Sequence, residues 1–147
     1  MNKIIQGNIL DIQSGIIAHQ VNCRRVAGAG LALQIRRKWP AWYDEFLRQE
    51  PYLGCVWWYC TAQKGGNPIG CSSPHVASMY AQKNYGRGQQ TDYIHFTNCL
   101  TKIKLYANKD HPLYIPYGIG CGLGGGDWSI VSRIIEIMVP DAILVEL

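Results

Sequence analysis

A glycine-rich stretch near the carboxyl end of the chain has the composition of an anion-binding loop. Six glycines fall within the nine residues 118–126, between the apolar segment LYIP and a helical pattern that begins at Asp127. Glycine lets a backbone approach a ligand closely. Free amides at a helix start, where the helix dipole is positive, attract anions. The stretch therefore predicts a cradle for a diphosphate, with a flexible connector as the alternative.

A second, shorter glycine turn is formed by Gly28, Ala29 and Gly30, again between an apolar segment and a helical pattern. Alone it is a weak signal, because a helix start tolerates glycine. Ligands of open α/β sheets bind outside the carboxyl ends of the strands, where both turns would lie. We therefore expect the two loops to hold one diphosphate from opposite sides.

Two other nucleotide-binding motifs are excluded. Gly120, Gly122 and Gly125 fit the spacing of a dinucleotide fingerprint, and Glu146 follows at a suitable distance. However, only one strand pattern follows these glycines, whereas a dinucleotide-binding half needs further βαβ units. The chain has no GxxxxGK[ST] sequence, which excludes a P-loop nucleotide hydrolase or kinase.

Two reactive side chains stand in or beside the longer glycine stretch. Asp127 could act as a base that activates water, or it could simply cap the last helix, since Asp is a preferred cap residue. Cys121 invites a nucleophile interpretation, but no partner base is evident in the sequence. We therefore keep both hypotheses for Asp127 and do not favour a nucleophile at Cys121.

Composition limits the class of protein. The 147 residues suit one domain, residues 1–147, and 48% are apolar against 16% charged, which excludes a disordered chain. No apolar run is long enough for a membrane span, and the amino terminus does not resemble a secretory signal. The six cysteines are expected to be reduced thiols in a cytoplasmic protein, and the histidine spacings predict no metal site.

The net charge of +4 is mild. A cluster formed by Arg24, Arg25, Arg36, Arg37 and Lys38 could favour an anionic ligand or could be a solvated helix face. The charge pattern does not favour a nucleic-acid partner. A monomer is compatible with the sequence, which leaves the oligomeric state open.

Strand and helix patterns alternate along most of the chain. Strands are predicted at residues 3–5, 15–21, 54–60, 75–82, 113–117 and 142–146. Helices are predicted at residues 31–39, 41–49, 92–108 and 127–138. Residues 65–74 and 84–90 are predicted loops. This alternation predicts a three-layer α/β/α sandwich with a mixed, largely parallel central sheet.

The order of several motifs resembles a macro domain over nearly the whole chain. These motifs are GNILDI, AHQVNCRRVAGAGLALQI, MYAQKNYGRG, TDY and IPYGIGCGLGGGDW. The closest likeness is to the branch of ADP-ribose-1''-phosphate phosphatases and of terminal ADP-ribose hydrolases that act on protein esters. The resemblance implies binding of ADP-ribose or a derivative without a metal or other cofactor.

The resemblance also implies residue roles. Asn8 and Ile9 match a Gly-Asp-Ile segment that contacts adenine, although Asn8 lacks the charge of the usual Asp. Asn22 matches an asparagine that binds the distal ribose. The two phosphate loops match Gly28, Ala29 and Gly30, and then Gly120, Cys121, Gly122, Leu123 and Gly124.

We predict a hydrolase that removes the anomeric phosphate from ADP-ribose-1''-phosphate, with two alternative functions. A phosphatase would use Asp127 and His19, which resembles a histidine of the phosphatase branch; a buried core histidine is the alternative. A reader would bind ADP-ribose or a related signalling nucleotide without turnover. An ester hydrolase would use Lys83, but that branch carries an Asp where this chain has Gly124, and a surface lysine is the alternative.

Overall fold

A six-stranded sheet runs through the centre of the protein, for which the computed structural model describes residues 1–62 and 73–147. The strands are β1 Lys3–Gln6, β2 Ile16–Asn22, β3 Val56–Cys60, β4 His75–Gln82, β5 Leu113–Pro116 and β6 Ile143–Glu146. Their order across the sheet is β1-β6-β5-β2-β4-β3. Every neighbouring pair is parallel except β3 and β4, which are antiparallel.

Helices cover both faces of this sheet. They are α1 Gly30–Lys38, α2 Pro40–Phe46, α3 Tyr93–Lys104 and α4 Trp128–Met138. Phe96 of α3 and Val131 of α4 belong to one buried cluster, whereas Ile35 of α1 and Trp42 of α2 belong to another. The predicted α/β/α sandwich with a mixed, largely parallel sheet is therefore confirmed.

Strand β2 explains why the two clusters lie on opposite faces. Ile16 and Ala18 pack into the cluster under α3 and α4, and Ile17 and Val21 pack into the cluster under α1 and α2. Successive side chains of a strand point to opposite faces, so a continuous apolar run suits a strand covered on both sides. The apolar sequence of β2 thus specifies a central position, between β4 and β5.

Two predicted helices have boundaries that differ from those in the structure. The helix predicted to reach Asn108 ends at Lys104. Asn108 instead accepts the backbone N–H groups of Asp110 and His111 on its side-chain oxygen, which favours a turn. The second helix begins at Pro40, because proline is well tolerated in the first turn, where its missing N–H costs nothing. It ends at Phe46, three residues before the predicted end.

The remaining predictions can be located on this fold. Strand β4 has the predicted bounds, and Asp127 directly precedes α4 as its N-cap. The predicted loop at residues 65–74 lies outside the described residues, apart from 73 and 74. Cys23, Cys55, Cys99 and Cys121 are free thiols. Within the described residues, no helix is long and apolar enough to cross a membrane.

Candidate functional site

A cleft of about 1090 Å³ opens where β2, β4 and β5 end. Three connections surround it, and we name them by their residues: loop A, residues 23–29, follows β2; loop B, residues 117–127, follows β5; loop C, residues 83–92, follows β4. Since these are the carboxyl ends of parallel strands, the cleft lies where open α/β sheets bind ligands. Its volume suits a nucleotide-sized molecule.

Loop A is fixed by Asn22, which is 7% exposed. The side-chain amide of Asn22 donates to the Val26 carbonyl at 3.0 Å, and its oxygen accepts from the Val26 N–H at 3.0 Å. Both polar atoms of the side chain are therefore engaged by the loop's own backbone. Asn22 lines the cleft, but in this structure its side chain shapes loop A.

The start of α1 faces the same cleft. Ala29 occupies the N-cap position and offers no side-chain acceptor to the first N–H groups of the helix. A Cβ atom placed on Gly28 would meet nothing within 4 Å. The end of loop A therefore leaves open space beside amides that lack an intrahelical partner, which is the environment that an anion requires.

Loop B contains two kinds of glycine. A Cβ on Gly124 would lie 2.6 Å from the Thr91 hydroxyl and 2.7 Å from the Gly120 carbonyl. A Cβ on Gly125, whose φ is +67°, would overlap the Gly88 carbonyl of loop C. In contrast, a Cβ on Gly122 would meet nothing within 4 Å. Gly124 and Gly125 are thus required by internal packing, whereas Gly122 keeps space open on the cleft that it lines.

A hydrogen-bonded network supports loop B from below. The side-chain amide of Gln20 donates to Gln82 at 2.7 Å and to the Thr91 hydroxyl at 2.8 Å. The Thr91 hydroxyl donates in turn to the Gly120 carbonyl at 2.7 Å. The Thr91 backbone N–H donates to the Gly124 carbonyl at 3.0 Å. These bonds tie loop B to β2, β4 and loop C.

The sequence analysis missed this network of Gln20, Gln82 and Thr91. One signal was present: Gln20 and Asn22 are polar residues two positions apart at the end of an otherwise apolar strand. Residues spaced by two share a face of a strand. The partners of Gln20 could not be read from the sequence, because Thr91 lies 71 positions away.

The comparison with known proteins is informative at the level of structure. No protein-family model matches the sequence, and no curated protein sequence matches it either. A protein of unknown function from Bacteroides thetaiotaomicron is 26% identical and has a TM-score of 0.76, with 100% of this chain and 98% of that chain covered. The macrodomain of Mycobacterium tuberculosis DarG is 21% identical, with a TM-score of 0.75 and coverage of 99% and 97%. The chain has the macrodomain fold.

A further structural neighbour was solved with a ligand. Thermosipho africanus DarTG in complex with ADP-ribose is 18% identical to this chain, with a TM-score of 0.70. It is a longer protein: the alignment covers 100% of this chain and 42% of that one. The resemblance inferred from the motifs is therefore confirmed as far as the macrodomain fold.

His19 is among the residues that line the cleft, but it lies within β2 and not in one of the three loops. It is 1% exposed, and its ring lies on the face of β2 that packs against Trp42, with 5.4 Å between the ring centroids. Its Nε2 is 2.7 Å from the Ser78 hydroxyl. Burial lowers the pKa of His19 to about 3, so the ring is neutral at ordinary pH. These contacts favour the core histidine over a proton donor to a ligand.

Asp127 acts as the N-cap of α4. Its carboxylate accepts from the Ser129 N–H at 2.9 Å and from the Ser129 hydroxyl at 2.7 Å. The bond from the Ser129 hydroxyl, followed by the bond from the Ser129 N–H, lowers the pKa of Asp127. Asp127 is exposed and does not line the cleft. The geometry therefore supports the cap, and the role as a base remains a prediction.

Lys83 and Cys121 also lie outside the lining of the cleft. Lys83 is exposed, as expected of a surface lysine. The thiol of Cys121 is 3.4 Å from the Ile119 carbonyl. Burial raises the pKa of this thiol, and the nearby negative charge of Asp127 raises it further. A raised pKa disfavours the thiolate, so the structure gives Cys121 no nucleophilic character.

Of the remaining predicted residues, seven line the cleft, Ile9 lies in the core and Asn8 is exposed. Gly28, Ala29, Gly30, Gly120, Gly122, Leu123 and Gly124 all line the cleft. Asn8 instead accepts the Leu10 N–H at 2.9 Å, and Ile9 is 6% exposed in the cluster under α1 and α2. Neither Asn8 nor Ile9 lines the cleft, so their contact with adenine remains a prediction.

Proposed function

We propose that the cleft binds ADP-ribose, with loops A and B around the diphosphate. The observation that carries this proposal is the open space at Gly28 and Gly122, which line the cleft from one loop each and where an added Cβ would meet no atom within 4 Å. Leu123 of loop B lies close to Gly30, with 3.1 Å between its Cδ1 and a Cβ built on that glycine. The two loops therefore meet at the start of α1.

The other walls of the cleft suit a nucleotide. Tyr85 and Tyr117 line it and are 59% and 40% exposed, so they offer aromatic surface to a base or a sugar. No Asp or Glu is present among the described residues that line the cleft, whereas Arg87 is. Nothing in this lining repels a diphosphate. The ADP-ribose bound to the Thermosipho africanus neighbour supports the same ligand for this fold.

Binding without turnover is the function that this geometry supports best. The described residues that line the cleft include no carboxylate, lysine or thiol, and the one histidine among them, His19, is buried with its Nε2 beside the Ser78 hydroxyl. A hydrolase that needs no metal requires a base or a nucleophile within reach of the bond that breaks. The protein is therefore a reader of ADP-ribose or of a related nucleotide in this proposal.

Removal of the anomeric phosphate from ADP-ribose-1''-phosphate is the second candidate. One observation favours it: Asp127 is the last residue of loop B, is exposed and has a lowered pKa, so its carboxylate is ionised and could accept a proton. The ester hydrolase that uses Lys83 has no comparable support, because Lys83 lies outside the cleft lining.

Calorimetry followed by a turnover assay tests both candidates. ADP-ribose is expected to bind the wild-type protein with one-to-one stoichiometry, and adenosine much more weakly, because adenosine lacks the diphosphate. Incubation with ADP-ribose-1''-phosphate is expected to release no inorganic phosphate. Release that is abolished by Asp127→Asn would establish the phosphatase instead, and absence of ADP-ribose binding would overturn the proposed function.

A further inference from the structure

Arg25, in the middle of loop A, has an unusual backbone conformation. Its φ is +60°, and it is the one non-glycine residue with a positive φ among the residues that the structure describes. This left-handed conformation costs free energy, because it brings the Cβ of an L-residue close to the following carbonyl oxygen. It persists only where surrounding contacts hold it. Other contacts of Arg25 must therefore compensate for this cost.

The guanidinium group of Arg25 supplies such contacts. Its Nη1 donates to the Leu47 carbonyl at 2.9 Å and to the Gln49 carbonyl at 3.2 Å. These carbonyls lie just beyond Phe46, the last residue of α2. Carbonyls at the carboxyl end of a helix lack intrahelical partners, and the helix dipole favours a positive charge there. Arg25 thus connects loop A to the end of α2.

The end of α2 is a rigid support for this connection. Trp42 and Phe46 are both 0% exposed, and their rings stack with 4.7 Å between the centroids. The Phe46 ring also stacks on Tyr80 of β4, with 6.2 Å between the centroids. Since these rings fix α2 to the sheet, the carbonyls that follow α2 give Arg25 a fixed anchor.

The backbone of loop A turns at Arg25. The Arg25 N–H donates to the Asn22 carbonyl at 3.3 Å, and the next N–H, that of Val26, donates to the Asn22 side-chain oxygen at 3.0 Å. Asn22, Val26 and Gly28 line the cleft, whereas Arg25 does not. The conformation of Arg25 therefore sets the position of residues that face the cleft, although Arg25 itself lies outside it.

We propose that Arg25 is a positioning residue for ligand binding: its guanidinium group, anchored on the end of α2, holds loop A in the left-handed conformation that shapes the cleft. The inference rests on the proposed function for its ligand, ADP-ribose, but the shape of loop A can be measured without any ligand. When the anchor is removed, the strain at residue 25 drives loop A towards other conformations. The affinity then falls in proportion to the fraction of molecules that keep the binding conformation.

Two variants separate the anchor from the backbone strain. Arg25→Gln removes the guanidinium group and keeps the strain, whereas Arg25→Gly removes both, because glycine adopts a positive φ without steric cost. Arg25 is exposed, so neither variant leaves a buried cavity. Arg37→Gln is the control for the lost charge, since Arg37 is also exposed and does not line the cleft.

Calorimetry measures the dissociation constant of ADP-ribose at a temperature below the unfolding midpoint of every variant. Arg25→Gln is expected to weaken binding by about tenfold, the scale that the strain of one left-handed residue sets. Arg25→Gly is expected to weaken it by less than about threefold, and Arg37→Gln by less than about twofold. The inference is overturned if Arg25→Gln binds as tightly as the wild type, or if Arg25→Gly binds no better than Arg25→Gln.

Amide hydrogen exchange of the free protein supplies a readout that needs no ligand. The protection of the Val26 N–H is expected to fall by about tenfold in Arg25→Gln, because its bond to Asn22 opens when loop A relaxes, and by less than about threefold in Arg25→Gly. Wild-type protection in Arg25→Gln would overturn the inference. A wild type that fails to bind ADP-ribose would instead overturn the proposed function, while the exchange result still decides whether Arg25 holds loop A.

Discussion

His19 and Gln20 are neighbours in β2, yet they belong to different regions of the molecule. The ring of His19 lies in the core under α1 and α2, where it contacts Ser78 and Trp42. Gln20 points to the other face and supports loop B through Thr91. Histidine is the residue type expected in catalysis, but His19 has a structural position, whereas Gln20 supports the loop of the candidate site. Alternation along the strand places the glutamine, rather than the more reactive histidine, under the glycine loop.

The two networks also differ in what they stabilise. The His19 network is buried and consists of His19, Ser78 and Trp42, so its main consequence concerns the protonation state of the ring and the stability of the fold. The Gln20 network ends on the carbonyl of Gly120, so its main consequence concerns the shape of loop B. This difference predicts that changes at His19 affect stability through pH, whereas changes at Thr91 affect stability and ligand binding together.

The largest expected effect is the pH dependence that His19 imposes on stability. Its pKa is about 3 in the folded protein, against 6.5 for a histidine fully exposed to water, so between these values the unfolded chain binds a proton that the folded chain does not. Stability is therefore fully present above about pH 6.5 and falls as the pH falls towards 3, by on the order of 4 kcal/mol. Urea unfolding at a series of pH values measures this slope.

His19→Gln provides the control for this slope. The glutamine removes the titrating ring, so the free energy of unfolding of the variant is expected to change less between about pH 6.5 and about pH 4, even if the variant is less stable at neutral pH. Carboxylates such as Asp92, whose pKa is lowered by hydrogen bonds from His95 despite the opposing effect of burial, contribute equally to both proteins. Parallel slopes in the wild type and the variant would contradict the neutral, buried histidine.

Thr91→Val is expected to have a smaller effect on stability but a direct effect on the cleft. Valine keeps the shape of threonine and removes the hydroxyl that joins Gln20 to the Gly120 carbonyl. Leaving these groups without a partner is expected to cost about 1–3 kcal/mol. ADP-ribose affinity is expected to fall as well, because loop B loses its support. Urea unfolding and calorimetry measure the two quantities.

Thr101→Val is the matched control for this change. Thr101 is exposed on α3 and donates only to the Thr97 carbonyl within the same helix. Its replacement is expected to change stability by less than about 0.5 kcal/mol and to leave the affinity for ADP-ribose unchanged. If Thr91→Val behaved like Thr101→Val in both measurements, the Gln20 network would have no part in shaping loop B.

The smallest expected effect belongs to Asp127, which takes part in neither network. Asparagine accepts the same backbone N–H bond as an N-cap, so Asp127→Asn is expected to leave the midpoint of urea unfolding nearly unchanged, whereas Asp127→Ala lowers it. ADP-ribose affinity is expected to stay the same in both variants. A fall of about 10²–10⁴-fold in phosphate release with Asp127→Asn would identify a base instead of a cap.

The parts of this account that the sequence could predict are those that local composition encodes. Apolar runs and glycine turns predicted the positions of the strands along the chain and of loops A and B between strand and helix. Both Gly122 and Gly124 line the cleft, but the sequence could not show that only Gly124 is required by internal packing, because that depends on the positions of Thr91 and the Gly120 carbonyl. The sequence also suggested a catalytic role for His19 from its residue type. It could not show that the ring packs against Trp42, because packing decides which face of a buried strand each side chain takes.

The central claim is that loops A and B hold the diphosphate of ADP-ribose, and calorimetry of Gly122→Val tests it most directly. The branched side chain enters space that is open in the structure, so the variant is expected to keep the wild-type unfolding midpoint and to lose at least about 100-fold in ADP-ribose affinity. Gly28→Val is expected to behave in the same way on loop A. Undiminished affinity in a folded Gly122→Val protein would contradict the account.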